Sequence, residues 1–393
     1  MPDSTPLRPD VPGPNSSPNA PLFWFNAGEA SGDMHGAALI RAMQNLHPEA
    51  RFRGMGGDAM QECGMELDFH SSQLSLMGLT EVFAHVPNIA RMLIQTWKTL
   101  KRTRPQAMVL LDSPDYNFLL ARMGRRLGIP VFFYISPQVW AWRTGRVKFL
   151  EKYARRILCI LPFEQPFYEK HNVAAEFVGH PLVDELDFDH LLALEPEDKL
   201  IGILPGSRRK EIETLMPEFS RAARILHRFE PGLRFRIIRA PGVDKAKLRS
   251  YWPEDVPMDM AEPENRYEAM RSCSLLMAAS GTVTFEASLL ETPCIVAYKL
   301  SPFTYWLARK VVTKIEYISL TNLITEKTVL PELLQKEANA DVLAATATHW
   351  LSAPGLLKEK RVELAELRRS LRRPGAPSAP VKAAEIIFQD LNL

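Results

Sequence analysis

The sequence predicts an α/β protein with two doubly wound domains facing each other across a cleft, and three observations carry that expectation. From Leu22 onward, short apolar runs (LFWFNAG, RFRGMGG, AMVLLD, VFFYIS, RILCIL and AEFVGH) alternate with segments of helical length, as βαβ units on a parallel sheet do. A second series of the same kind (LIGILPG, FRIIRA, PMDMA, LLMAAS and CIVAYK) follows an acidic, helix-compatible connector from Asp184 to Lys199. Finally, 393 residues are more than one core usually serves, so two domains is the simplest division.

Taken in order, residues 1–20 are rich in Pro, Ser and Asn with no apolar segment, and they read as a disordered tail rather than a targeting peptide. Residues 21–185 form the first domain and 186–365 the second. The stretch KEKRVELAELRRSL reads as a charged amphipathic helix, a Pro/Gly/Ala break spans Arg373 to Pro380, and 366–393 ends in a last helix. With 46% apolar and 24% charged residues the composition is that of a globular protein with a sizeable core. The formal charge of +2 names no partner, and nothing in the pattern calls for nucleic acid. Four cysteines without CxxC spacing indicate neither a disulfide framework nor a zinc site and fit a reducing cytoplasm. No run approaches the ~20 apolar residues that cross a bilayer, so membrane association is expected to be peripheral.

Three strand exits carry chemistry. AMVLLDSPDYN ends a buried strand at Asp112, where open α/β sheets bind ligands and a base belongs; equally, Asp112 or Ser113 suits the cap of a helix that begins at Pro114 with Asp115 facing its dipole. AASGTVTFE would present Ser280, Gly281 and Thr282 to a diphosphate at a helix N-terminus, with Glu286 about one turn further on for a ribose diol. The bland alternative is an N-cap followed by a solvated glutamate. LPGSRRKEI adds Gly206, Ser207 and Arg208 at the exit of the second domain's first strand, and arginine clamps diphosphates well. A fourth turn, AGEASGD, is glycine-rich but neither a P-loop nor GxGxxG, and its Glu29 and Asp33 favour a sugar hydroxyl or a positioning role, with Ser31 beside them. The segment Leu74 to Arg104 places Leu76, Met77, Leu79, Val82, Phe83 and Val86 ahead of a basic end. It reads either as ordinary buried and surface helices or as a patch lying in a membrane interface.

With those residues in place, the chain resembles the lipid-A-disaccharide synthase family from about Leu22 to Leu334. The stretches AGEASGD, MGLTEV, LLDSPDYN, SPQVWAWRTGRVK, LPFE, FVGHPL, LPGSRRKEI, ASGTVTFEA and YISLTNLI occur in the family's order. Thr321 departs from the expected proline of SLPNL while Asn322 stays in place. The resemblance implies a GT-B glycosyltransferase architecture of two Rossmann-like domains, C-terminal helices that cross back to the N-terminal domain, and a dimer by C-terminal swap. It implies Asp112 as the base, Arg208 and Ser280 to Thr282 on the diphosphate, Glu286 on the ribose, and Asn322 completing the donor pocket. The implied reaction joins UDP-2,3-diacylglucosamine to 2,3-diacylglucosamine 1-phosphate, releases UDP and forms a β-1,6 linkage with inversion, at the inner face of the inner membrane.

Other residues carry lesser expectations. Arg143 and Arg146 are candidate contacts for the acceptor phosphate. His180 is a rival base that suits a hinge or core hydrogen bond better. Trp140 and Trp142 would pack the cleft wall. No metal or other cofactor is expected, because the helix amides and Arg208 can neutralise the leaving diphosphate and Asp187-Phe188-Asp189, the one DxD match, lies in the connector. The competing readings are another GT-B enzyme, such as a UDP-sugar epimerase or a transferase with a soluble acceptor, and a non-catalytic UDP-sugar-binding module. The joint presence of Asp112, Arg208, Glu286 and Asn322 speaks against a dead site.

Overall fold

A computed structural model describes residues 20–75, 82–142, 144–299, 317–372 and 375–393. The chain divides into two compact units, the first formed by residues 1–160, 164–178 and 377–393, the second by 161–163 and 179–376.

The first unit is built on seven parallel strands: β1 (Leu22–Asn26), β2 (Arg51–Gly56), β3 (Glu66–His70), β4 (Ala107–Leu110), β5 (Val131–Tyr134), β6 (Arg156–Cys159) and β7 (Ala175–Phe177), in the order β3-β2-β1-β4-β5-β6-β7. Both faces are covered, so its strands are apolar at consecutive positions rather than at alternate ones. Phe23, Phe25, Val109, Leu111, Phe132 and Tyr134 face one core, while Trp24, Met108, Leu110, Val131, Phe133 and Ile157 face the other. The first core is closed by helix Ala30–Leu46 and by the last helix, Ala379–Leu391, whose Ala383, Ile387 and Phe388 are buried in it. Arg156 grips Asp390 of that helix through two hydrogen bonds of 2.8 Å.

The second unit has six parallel strands: β8 (Glu197–Leu204), β9 (Arg234–Ile238), β10 (Met258–Ala261), β11 (Cys273–Ala279), β12 (Cys294–Tyr298) and β13 (Glu332–Leu334), in the order β10-β9-β8-β11-β12-β13. Helix Arg209–Phe229 covers one face through Ile212, Leu215, Phe219 and Leu226, and helix Thr282–Leu289 covers the other through Phe285 and Leu289. In each unit the strand order reverses beside its first strand, between β1 and β4 and between β8 and β11. Those are the crevices where open α/β sheets bind ligands.

All eleven apolar runs are strands, and two edge strands join them unannounced. β3 reads ELDFH because Arg53 on β2 neutralises its acids, meeting Asp68 at 2.8 and 2.7 Å and Glu66 at 2.9 Å. β13 has only three residues. The unit boundary falls between Val178 and Gly179 rather than at 185, because Leu182, Val183 and Leu186 pack into the second unit's core. Leu367 and Leu371 are buried in that same core, so the chain through 376 stays with the second unit. The connector is partly strand, since Glu197 to Lys199 open β8, and Asp187 caps helix Phe188–Ala193 by accepting the His190 amide at 3.1 Å. No described helix is long and apolar enough to cross a membrane.

Candidate functional site

At the first crevice, the strand exit of β4 turns sharply. Asp112 and Ser113 both take left-handed backbone, with φ of 46° and 31°, before Pro114 opens helix Pro114–Leu127. The turn aims the Asp112 carboxylate back at the loop leaving β1. Oδ1 accepts the Gly28 amide at 2.8 Å and Oδ2 accepts the Glu29 amide at 3.1 Å. Asp112 is thus not the cap of the helix that follows it, and Ser113, at the cap position, makes no side-chain cap either. Burial pushes the Asp112 carboxyl up to about 6, against the pull of the Gly28 amide, the Ser113 hydroxyl and the Glu29 amide, while the Glu29 carboxylate pushes it further up. A carboxylate poised near neutrality at a strand exit has the character of a general base.

The AGEASGD turn serves that carboxylate. Gly28 donates to it, and a Cβ at Gly32 would fall on its Oδ2, so only glycine lets the helix pass so close. Asp33 faces the other way and caps helix Asp58–Glu62, accepting the amides of Gly57, Ala59 and Met60 at 2.7, 3.0 and 3.1 Å. Glu29 and Ser31 are exposed at the start of helix Ala30–Leu46. Arg146 is 2.6 Å from Asp115 and lies 5.0 Å over the Phe118 ring, so its charge is already partnered. Trp140 donates its indole N–H to the buried Glu164 at 3.0 Å, a packing role. Arg143, Leu76, Met77 and Leu79 lie outside the described residues, as do the side chains of Trp142, Val82, Phe83 and Val86.

The second crevice holds a cleft of about 430 Å³. It brings together Gly206, Ser207 and Arg208 from the exit of β8, Ser280 to Thr282 from the exit of β11, and Glu286 one turn into helix Thr282–Leu289. Gly206 is required by its φ of +93°. Two arginines that sequence reasoning passed over line the cleft as well, Arg239 beyond β9 and Arg266 at the start of helix Arg266–Arg271. Arg239 holds the Val243 carbonyl at 2.8 Å and Glu262 at 2.5 Å. Arg239 follows a strand just as Arg208 does, and that shared position was its signal; Arg266 enters from a helix and had none. Arg239 is paired with Glu262 and Arg266 lies beside Glu286, so Arg208, which makes no ion pair among the described residues, is the guanidinium best placed to meet a diphosphate.

Glu286 is held within the cleft. Arg266 lies 3.7 Å from it and stacks 4.2 Å over Tyr267, whose hydroxyl donates to Glu286 at 3.4 Å. Burial pushes the Glu286 carboxyl above its ordinary range, against the opposing pull of Arg266 and the Tyr267 hydroxyl. Glu211 accepts the Ser207 amide at 3.3 Å and so occupies one of the loop's anion-binding donors.

Two expected site residues stand elsewhere. Asn322 is fully buried in helix Leu320–Thr325 and does not line the cleft. Its amide donates to Leu330 O and Glu332 at 2.7 and 2.8 Å and accepts the Leu330 amide at 2.8 Å, all bonds that fix the start of β13. Thr321 beside it bonds Ser288 at 2.7 Å, a contact proline could not make. His180 caps helix Pro181–Glu185 by accepting the Leu182 amide at 3.3 Å, with its ring 4.9 Å from Phe285. Its Nδ1 is thereby engaged, which suits a core hydrogen-bonding residue rather than a base. Among the described residues no cluster of His, Cys, Asp and Glu has a metal-binding arrangement.

Comparisons with known proteins identify the fold and the family. In fold, the chain is similar to the glycosyltransferase of kitacinnamycin (TM-score 0.63, 15% identity, covering 95% of this chain and 100% of that one). It is also similar to UDP-GlcNAc 2-epimerase from Neisseria meningitidis bound to UDP-GlcNAc (TM-score 0.58, 12% identity, 94% and 99%). These likenesses establish a GT-B fold of two Rossmann-like domains. In sequence, the lipid-A-disaccharide synthase of Geobacter sulfurreducens is 38% identical over 374 residues, covering 93% of this chain and 96% of that protein. That of Myxococcus xanthus is 36% identical over 380 residues, covering 94% and 98%. The family model described as lipid-A-disaccharide synthetase matches residues 23–387. The chain belongs to the lipid-A-disaccharide synthase family of glycosyltransferases.

Proposed function

We propose that this enzyme transfers the diacylglucosaminyl group of UDP-2,3-diacylglucosamine to 2,3-diacylglucosamine 1-phosphate, with Asp112 as general base and the second unit's cleft as the UDP site. One observation carries the assignment of the base: the Asp112 carboxylate, half-buried, held by two amides and shifted to about 6, at the switch point of the first sheet. In the step itself, the acceptor hydroxyl oxygen bonds to the anomeric carbon from the face opposite UDP while its proton passes to Asp112. The glycosidic electron pair leaves with the diphosphate, and the anomeric centre inverts. Arg208 and the amides at the start of helix Thr282–Leu289 neutralise the charge that develops there, so the step is balanced without a metal ion. Glu286, oriented by Arg266 and Tyr267, accepts from the ribose diol.

The acceptor is a lipid, so the first unit is the part that meets the cytoplasmic face of the inner membrane in this reading. Helix Val82–Thr103 supports it: the helix carries Arg91, Lys98, Lys101 and Arg102 and no acidic residue. A dimer formed by exchange of the last helix would reuse the surface that Ile387, Phe388 and Asp390 already bury, and sedimentation would reveal it as a species of twice the monomer mass. The proposed reaction is tested by incubating the protein with both diacylated substrates and looking for a β-1,6 disaccharide 1-phosphate and UDP in equal amounts. Failure to form the disaccharide with intact UDP binding would overturn it.

A further inference from the structure

We propose that Asn117, itself fixed by Asn26, is the positioning residue that holds the Asp112 base in its working geometry; the proposal rests on reading Asp112 as the base. Two successive residues with side chains, Asp112 and Ser113, occupy left-handed backbone with φ of 46° and 31°. L-residues avoid that region, so a neighbour must select it over the extended backbone that a strand exit would otherwise adopt. The amides of Tyr116 and Asn117 at the start of helix Pro114–Leu127 both bond Ser113 O at 3.1 Å, so the carbonyls of Leu111 and Asp112 are met by a side chain instead.

Asn117 meets both needs. Its side-chain N–H donates to Leu111 O at 2.7 Å and to Asp112 O at 2.8 Å, and its side-chain oxygen accepts from Asn26 at 2.8 Å. Asn117 is 0% and Asn26 1% exposed, so the pair works without competition from water. Asn26 ends β1 and accepts the Leu111 amide through its own carbonyl at 2.8 Å. The two amides therefore tie the end of β1 to the end of β4 at the switch point. Gly28 and Glu29, two and three residues beyond Asn26, supply the amides that receive the carboxylate. One side chain thus selects the backbone that points Asp112 at its anchor, and the anchor belongs to the strand that fixes that side chain. Asn117 touches neither substrate nor proton in this arrangement; it acts through Asp112.

The experiment measures kcat, KM and UDP affinity in Asn117→Ala and Asn26→Ala, each alone and combined with Ser113→Gly. A misdirected base predicts a loss of about 100-fold in kcat for Asn117→Ala and about 10-fold for Asn26→Ala, with KM for the donor and UDP affinity within about two-fold. Glycine adopts left-handed backbone without strain. Ser113→Gly also removes the hydroxyl that bonds the Asp112 carboxylate, so it is measured alone as the reference, and rescue means that adding Asn117→Ala costs at least about five-fold less kcat in the Ser113→Gly background than in the parent. A residue that merely packs the core would show no such rescue. Unchanged kcat in Asn117→Ala, or rescue absent from both asparagine variants, overturns the proposal; if Asn117→Ala does not fold, Asn26→Ala with and without Ser113→Gly decides it. Asp112→Asn run in parallel separates the two levels. Full activity there removes the base itself, whereas an inactive Asp112→Asn beside a normal Asn117→Ala removes only the positioning role.

Discussion

The two crevices share one topology and present different groups. Each lies where a parallel sheet reverses its strand order, and each is framed by a loop leaving the first strand and a turn leaving the fourth. In the first unit the loop after β1 offers amides and the turn after β4 offers a carboxylate, so the site satisfies itself and holds a group that can take a proton. In the second unit the loop after β8 brings Arg208 and the turn after β11 brings the start of helix Thr282–Leu289 to one cleft, while the Ser207 and Ser280 amides are already bonded to Glu211 and to Ala297 O. The fold supplies the place, and a few residues at the strand exits decide whether it becomes a proton acceptor or an anion receptor.

The sharpest way to break this division of labour is Asp112→Asn. Turnover should fall about 10³-fold, the contribution typical of a general base, while calorimetric UDP affinity stays unchanged. Arg208→Ala should do the reverse at smaller scale, weakening UDP binding roughly 10- to 100-fold, as loss of a charge-assisted contact does, with Asp112 still titrating normally. The pH profile comes next. The Asp112 carboxyl is raised to about 6, so the base is ionised above that pH and protonated below it. kcat/KM for the transfer should hold above about 6 and fall about tenfold per unit below it. Glu29→Gln removes a charge that helps raise Asp112, so that variant should keep its activity to lower pH. The smallest effect on function belongs to Asn322→Ala, which should cost about 2 kcal/mol of stability in a thermal melt, because it strands Leu330 and Glu332. UDP affinity of the folded variant should remain within about two-fold. A larger loss would return Asn322 to the donor site.

The sequence makes the frame legible because buried parallel strands are long apolar runs, and those runs recur at helix-length intervals. It conceals β3, since Glu66 and Asp68 break the run and the arginine that excuses them sits on a different strand. At the sites, strand exits announce themselves: Asp112, Arg208 and the Ser280 to Thr282 turn all follow a run directly. What sequence spacing cannot carry is the direction of a side chain. Asn322 sits inside a motif of the family yet turns inward to fix β13, and Asp33 sits in AGEASGD yet caps a helix two elements away. Arg266 reaches the cleft from a helix whose position only the tertiary packing defines.

The last helix has a consequence for how the chain is made. Helix Ala30–Leu46 is covered by Ala383, Ile387 and Phe388, each of the two large side chains worth roughly 1.5–3 kcal/mol of burial. Their codons are translated more than 300 residues after those of the helix they cover. At ribosomal speeds of about 5–20 residues per second, the first unit waits with an apolar flank bare for roughly 15 seconds to a minute. The second unit, nearly continuous in sequence, is complete before that wait ends. Birth order and finishing order are thus reversed, and truncation near residue 378 should leave a chain whose later-made half is sound and whose earlier-made half seeks a holdase.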